Sequence, residues 1–329
     1  MHQRKTLHNE NCRNQIYNGH EFLITEVGTS SEDKIRLGVN CDGYGRIRLF
    51  KRYKDVDWVS NPLPFNPYAN AMGEDIVDEL PVQVFQVAKC NMNCWWCFIP
   101  DEYKKLNNHH NKWFSVADLL ELYIRDGKRY SKIIDLSGGN PELVPEFVLQ
   151  FMMEIEKRNF NDEIYLWSDD VLTTDYLFTK LTSYQVDYMA NYHKYGKVAC
   201  FKGIDDASFC FNTSSPFSML DEQFSHAKRY IDKGFDIYFY IVLTMPDLHC
   251  LQRKISIFID KLQKITHYLP LRVVPIKIKQ FDTNVHRFND IRTNAINSQY
   301  EVLMAWQEEL DKRFSTQEIN MDISLIPIK

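Results

Sequence analysis

The stretch VFQVAKCNMNCWWCF, residues 84–98, joins an apolar run to three cysteines within eight positions, Cys90, Cys94 and Cys97. The run itself is rich in β-branched and aromatic residues and reads as a strand. Lys89, Asn91 and Asn93 then turn the chain into a polar loop, which argues against three buried structural thiols. A thiolate is a soft ligand, and several on one short loop can face a single centre. Two would serve a disulfide or a redox dithiol, and four would close a zinc site, so the odd number needs its own explanation.

Outward from this stretch the chain alternates short apolar runs with longer amphipathic ones, the pattern of repeated βα units. Strands are predicted at residues 82–88, 132–136, 163–167, 198–201, 237–243 and 272–278. Helices are predicted at 115–127, 143–158, 173–181, 218–233, 251–267 and 295–312. Six strands, most followed by a helix, predict an α/β fold in which a parallel sheet curls into a partial (β/α)6 TIM-like barrel. Function on such a sheet gathers at the C-terminal strand ends. The cysteine loop follows the first strand, Ser137-Gly138-Gly139-Asn140-Pro141 the second, and Ser168-Asp169-Asp170 the third.

Residues 1–75 differ. Segments 21–27 and 34–50, the latter broken by Asp42-Gly43-Tyr44-Gly45, read as a small antiparallel β extension, and residues 61–67 as an extended proline-rich connector. The division expected is a β-rich extension at 1–75, the barrel core at 76–280, and a C-terminal helix and tail at 281–329 capping the barrel.

The chain has 329 residues, 44% hydrophobic and 25% charged, with a formal net charge of -5, which fits a large globular protein and excludes disorder. No basic block marks a nonspecific nucleic-acid surface. No apolar run is long enough to cross a bilayer, and the N-terminus lacks a signal-type apolar core, so a soluble cytoplasmic protein is expected. In that compartment the eight cysteines stay reduced, and the clustered three point to metal binding or chemistry.

Two metal readings stand. In one, His109 or His110 completes a zinc site with the three thiols. In the other, three thiolates hold a [4Fe-4S] cluster and leave one iron open. The C-x3-C-x2-C spacing after a first barrel strand, with the aromatic Trp96 just before Cys97, resembles the signature of radical S-adenosylmethionine enzymes. The resemblance covers roughly residues 81–278. It implies that Cys90, Cys94 and Cys97 ligate the cluster, that the open iron binds S-adenosylmethionine, and that Trp96 lies near the adenine. It implies further that Gly138, Gly139, Asn140 and Pro141 form the family's glycine-rich methionine-binding segment, with Asn140 where relatives carry Glu. Ser168 and Asp169 fall where relatives touch the ribose or carboxylate, helix capping being their other reading. Residues 199–205 resemble the S-x-K-G segment of the activase-like branch, with Cys200 for the serine, and Lys202 as a partner for the ligand carboxylate.

The absence of cysteines after Cys250 argues for a single-cluster enzyme. Cys250 follows the fifth strand and is the candidate for returning a hydrogen atom to a substrate radical, with a plain buried thiol as the alternative. The partners expected are a substrate of peptide, nucleotide-derived or sugar type and an external electron donor such as flavodoxin or ferredoxin, with no membrane and no nucleic acid. A glycyl-radical-enzyme activase and a non-catalytic iron–sulfur or zinc protein are the alternatives.

Overall fold

The computed structural model describes residues 2–27, 38–53, 55, 57–104, 106 and 109–328. Its strands, in chain order, are β1 (Phe22–Thr25), β2 (Val39–Asn40), β3 (Gly45–Lys51), β4 (Glu79–Val87), β5 (Asn111–Phe114), β6 (Ile133–Gly138), β7 (Tyr165–Asp170), β8 (Tyr195–Phe201), β9 (Ile237–Val242) and β10 (Val273–Ile276). All lie in one sheet. The six predicted strands are β4, β6, β7, β8, β9 and β10, and they pair in parallel, in sequence order. This is the partial barrel.

Residues before the barrel continue its sheet. β3 runs antiparallel along the free edge of β4, from Gly45 opposite Phe85 to Lys51 opposite Glu79. β1 pairs with β4 at Ile24 and Val87, and β5 adds to β1. β2 and β3 form the expected hairpin around Cys41–Gly43, while positions 34–37 of the predicted segment lie outside the described residues. The proline connector is shorter than expected, because a helix begins inside it at Phe65–Met72. Pro67 fits there: in a first helical turn its missing N–H has no partner to lose.

Between strands the helices carry apolar faces into the outer core. Ser115 caps Val116–Asp126 through a reciprocal pair with Asp118, and the helix buries Val116, Leu119, Leu120 and Tyr123. Glu146–Lys157, Leu220–Lys233 and Leu251–Gln263 bury similar faces. Three helices carried no clear periodic signal: His2–Asn14, Ser183–Ala190 and Asp206–Thr213. The first is polar almost throughout and is held by hydrogen bonds rather than an apolar stripe.

Inside the barrel the alternation of the strands separates two levels. The N-terminal ends bury Val82, Ile133, Tyr165 and Tyr238, plugged by Leu63, Phe65 and Tyr68 and by Ile323 and Ile326 of the tail. Arg272 fastens that tail, donating to the Ile326 carbonyl at 3.0 Å while pairing with Asp236 at 2.7 Å. Ile323 and Ile326 therefore close the end opposite the cysteine loop, where they complete an apolar floor. The C-terminal strand ends open into a cavity.

Candidate functional site

A cavity of about 840 Å³ opens at the C-terminal ends of the parallel strands, and Cys90, Cys94 and Cys97 all line it. Around them stand Trp96, Gly138, Gly139, Asp169, Cys200 and Lys202. The cysteine loop has almost no secondary structure of its own, so its shape comes from neighbouring segments.

The glycine-rich turn touches it most closely. Gly139 N–H donates to the Val87 carbonyl at 2.9 Å, and Asn140 N–H to the Lys89 carbonyl at 2.8 Å. A Cβ on Gly139 would fall 1.9 Å from the Lys89 oxygen, and Gly138 takes a φ of +96°, so both glycines are required by backbone geometry. Asn140 is buried. Its side-chain Oδ1 accepts from Glu142 N–H, capping the turn that starts at Pro141, while its side-chain Nδ2 donates to Asn91 Oδ1 at 3.1 Å.

Asn91 is the hub of a buried amide network. It donates to Asn9 of the N-terminal helix and to the Thr173 hydroxyl, both at 2.9 Å. The same helix is anchored by Arg13, which donates to the Leu143 carbonyl at 2.9 Å and forks onto Glu146. On the far side of the loop, Asn284 donates to the Trp96 carbonyl at 3.0 Å, and Arg287 to the carbonyls of Cys97 and Ile99 at 2.8 and 3.1 Å. Trp95 is buried edge-on against Phe211 and Phe288. Segments near both ends of the chain thus clasp the cysteine loop. No periodic or motif signal marks these contacts in the sequence.

The thiols sit in a dry setting. Burial pushes Cys90 up to about 11 and Cys94 up to about 12, the neighbouring thiols adding to the shift and Lys202 opposing it. Burial works against the charge of Lys202, but Cys200, Cys94 and Cys90 around it hold its pKa above the ordinary lysine value. The ammonium lies 5.1 Å from the centre of the Trp96 ring. Trp96 Nε1 is buried with no hydrogen-bond partner among the described residues, a donor left for a guest.

Among the described residues no three His, Cys, Asp or Glu side chains gather as a single metal ion requires. His110 instead pairs with Glu26 at 3.0 Å. That geometry gives the zinc reading no support. In a cubane cluster each thiolate binds a different iron, so the sulfurs stand wider apart than the ligands of one ion. Three soft donors on one loop, facing a cavity with an ammonium and an unpartnered indole N–H, fit a cluster and an adjacent polar cofactor.

The remaining predicted residues divide. Asp169 points into the cavity and accepts a hydrogen bond from Ser137, and burial raises its pKa. Ser168 lies in β7, buried, with its hydroxyl 2.7 Å from the Tyr195 hydroxyl, and does not line the cavity. Neither caps a helix, because the strand continues through Asp170. Pro141 is buried beneath the glycine turn. Cys250 is exposed at a left-handed position before Leu251–Gln263 and is not among the cavity-lining residues. Outside the cysteine loop, the thiol that lines the cavity is Cys200, near the end of β8.

Two features escaped the sequence reading. Lys197 is wholly buried against Glu142 and lies 3.6 Å from Asp170, with the Tyr230 hydroxyl donating to Glu142 at 2.8 Å. This ionic knot lies directly under the glycine turn. The other is Asp135, a buried carboxylate in the cavity wall.

The chain matches the 4Fe-4S single cluster domain family over residues 80–194. The 7-carboxy-7-deazaguanine synthase of Haemophilus influenzae is 28% identical over 189 residues, covering 55% of this chain and 78% of that protein. Streptococcus suis SuiB bound to S-adenosylmethionine aligns at 16% identity and a TM-score of 0.40, over 56% of this chain and 37% of SuiB. A spore photoproduct lyase with bound AdoMet and dinucleoside spore photoproduct aligns at 10% identity and a TM-score of 0.45, over 80% and 86% of the two chains. Among the described residues no helix is long and apolar enough to cross a membrane.

Proposed function

We propose that this chain is a radical S-adenosylmethionine enzyme in which Cys90, Cys94 and Cys97 hold a [4Fe-4S] cluster over a small-molecule substrate, a reading supported by the matched 4Fe-4S single cluster domain family and the Haemophilus relative. The observation that carries this is the three thiols lining one cavity with Gly138, Gly139, Trp96 and Lys202. When bound and reduced, the cluster supplies the electron that cleaves S-adenosylmethionine to a 5′-deoxyadenosyl radical, the species that takes a hydrogen atom from the substrate.

The chain's own residues bind, orient and exclude water. Gly138 and Gly139 bring the second strand's backbone against the cysteine loop, so that a cofactor meets both at once. Lys202 offers a desolvated positive charge to a carboxylate, and the Trp96 indole N–H offers a donor. Asp169 is held by Ser137 as an acceptor for a hydroxyl or amino group. The apolar plug of Leu63, Phe65, Ile323 and Ile326 shuts the other end of the barrel against solvent. Residues 76–280 would carry the reaction, with an external one-electron donor of the flavodoxin or ferredoxin class reducing the cluster.

The Haemophilus relative is named for making a carboxylated deazaguanine and matches over 78% of its length. That supports a nucleotide-derived heterocycle over a peptide, a sugar or a partner protein bearing a glycyl radical. Anaerobically reconstituted protein should carry iron and sulfide and, with dithionite, form 5′-deoxyadenosine from S-adenosylmethionine. Cys90→Ala, Cys94→Ala and Cys97→Ala should each abolish both, whereas Cys12→Ala and Cys41→Ala should keep both. Zinc in place of iron, or equal loss in the two sets, would refute the assignment.

A further inference from the structure

Below the thiols the cavity has a second polar centre. Asp135 lies on the inner face of β6, opposite Val84 of β4 and Trp167 of β7, in a row that continues to the buried Arg46 of β3. Its residue exposure is 3%, and its Oδ1 has no hydrogen-bond partner among the described residues. A buried acceptor left unmade is costly, and more so when it is charged. Such a group persists in a cavity wall when a ligand satisfies it. Burial and the neighbouring Asp169 push this carboxyl well above the usual range, with Arg48 and Arg46 opposing them, so ionisation is favoured by an incoming donor.

What surrounds Asp135 narrows the donor. Gly196 leaves room for the Trp167 ring, since a Cβ there would meet its edge at 2.6 Å, and Trp167 lines the cavity as an aromatic wall. Tyr240 also lines it. Its hydroxyl accepts from Asn61 at 3.0 Å, which leaves its own O–H to donate. The cavity thus offers an acceptor with two oxygens, a phenolic donor and a flat apolar wall.

We propose that Asp135 is the specificity anchor of the substrate pocket, receiving a planar nitrogen heterocycle through a pair of adjacent N–H donors, with Tyr240 donating to a ring carbonyl. The ligand class is a heterocycle with an amino-lactam edge. A plain sugar has no coplanar pair of N–H donors for the carboxylate, and the backbone of an extended peptide has none either. The assignment deepens the proposed function and rests on this cavity being the substrate cavity of that enzyme.

The test uses two soluble probes, isocytosine, which carries the amino-lactam edge, and 4-pyrimidinone, which lacks the amino group. Binding to the full-length reconstituted protein is measured by calorimetry, alongside its iron and sulfide content. The wild type is expected to bind isocytosine roughly tenfold or more tighter than 4-pyrimidinone, as a paired carboxylate–donor contact gives. Asp135→Asn, the same shape with one acceptor lost, should bring the two affinities together, and its melting curve checks the fold. Equal binding of both probes by the wild type, binding of neither, or discrimination kept by Asp135→Asn overturns the proposal. Iron-loaded wild type that fails to discriminate overturns the Asp135 assignment alone. Discrimination by wild type that holds no iron supports Asp135 and overturns the radical-enzyme reading.

Discussion

Gly139→Ala is the sharpest perturbation of the cysteine loop, because the added methyl meets backbone. Its Cβ would lie 1.9 Å from the Lys89 oxygen, 2.2 Å from the Lys89 carbonyl carbon and 2.9 Å from the Cys90 nitrogen. Neither partner is the movable end of a side chain. To regain van der Waals contact the two loops must separate by roughly 1.5 Å. The hydrogen bonds from Gly139 and Asn140, now 2.9 and 2.8 Å, then pass beyond useful length. Losing two net bonds costs about 1 kcal/mol each, and about 1–3 kcal/mol each if the groups stay buried and unmade, for a total of about 2–6 kcal/mol. The same movement displaces Cys90 from the glycine turn. Urea unfolding of the apo-protein should show the loss in stability, and iron content after anaerobic reconstitution should fall with it. Gly73→Ala is the control: Gly73 has a φ of +66° but nothing within 4 Å of its added Cβ, so it should cost only about 1–2 kcal/mol and load iron normally. A Gly139→Ala protein that unfolds like wild type and fills with iron would show that the glycine turn does not set the cysteine loop.

Lys197→Met leaves the buried Glu142 and Asp170 without their counter-charge and should destabilise the fold by about 3–5 kcal/mol in urea unfolding, with Glu142→Gln added to it recovering part of the loss. Asn91→Leu removes three buried hydrogen bonds, roughly 3 kcal/mol, from the junction of the N-terminal helix with the loop. The reconstituted variant should release iron to a ferrous chelator faster than wild type while its far-UV spectrum stays the same. Asp135 makes stability depend on pH in a stated direction. Its folded pKa lies above the unfolded value of about 3.9, so the folded state binds the extra proton, and stability falls as pH rises from there through the folded value. Asp169, Arg48 and Arg46 are the charged groups acting on it. Asp135→Asn should therefore melt above wild type near neutral pH, and the gap should close towards pH 4; a gap that is constant with pH contradicts a raised carboxyl.

The barrel was legible because its signal is local. Each of the six strands is a short apolar run followed by an amphipathic stretch, and burial on both sheet faces is what such runs report. The three cysteines and Gly138-Gly139 were legible for a related reason, since spacing within a loop and backbone freedom at glycine are properties of a few adjacent residues. Helix His2–Asn14 was not, because its binding force is Asn9 and Arg13 reaching residues 82 to 133 positions away, which leaves no apolar period to read. Asp135 was hidden for the opposite reason. It occurs inside a run, Ile133 to Leu136, that reads as strand, and only the inward register of β6 turns it from a polar interruption into a cavity group. Ile323 and Ile326 identify themselves in the sequence as apolar without saying which mouth of the barrel they close.

The placement of the N-terminal helix and of residues 284–287 explains how a loop with so little structure of its own can be held firmly. Cys90 to Ile99 contribute few hydrogen bonds to each other, so the order of the loop must be imported. It comes from three directions: the glycine turn beneath, Asn9 on one flank, and Asn284 with Arg287 on the other. Each contact spends its polar groups on loop backbone or on Asn91, and none uses a cysteine sulfur. The thiols are thereby left out of these anchoring contacts while their carrier is fixed. The glycine turn is fixed in its turn by the Glu142–Lys197 pair. A buried ion pair is weak evidence of stability gained, since desolvation offsets most of the attraction. Here its value is positional: Glu142 is two residues from Asn140, and a carboxylate locked between Lys197 and Tyr230 holds the turn at one height against the cysteine loop.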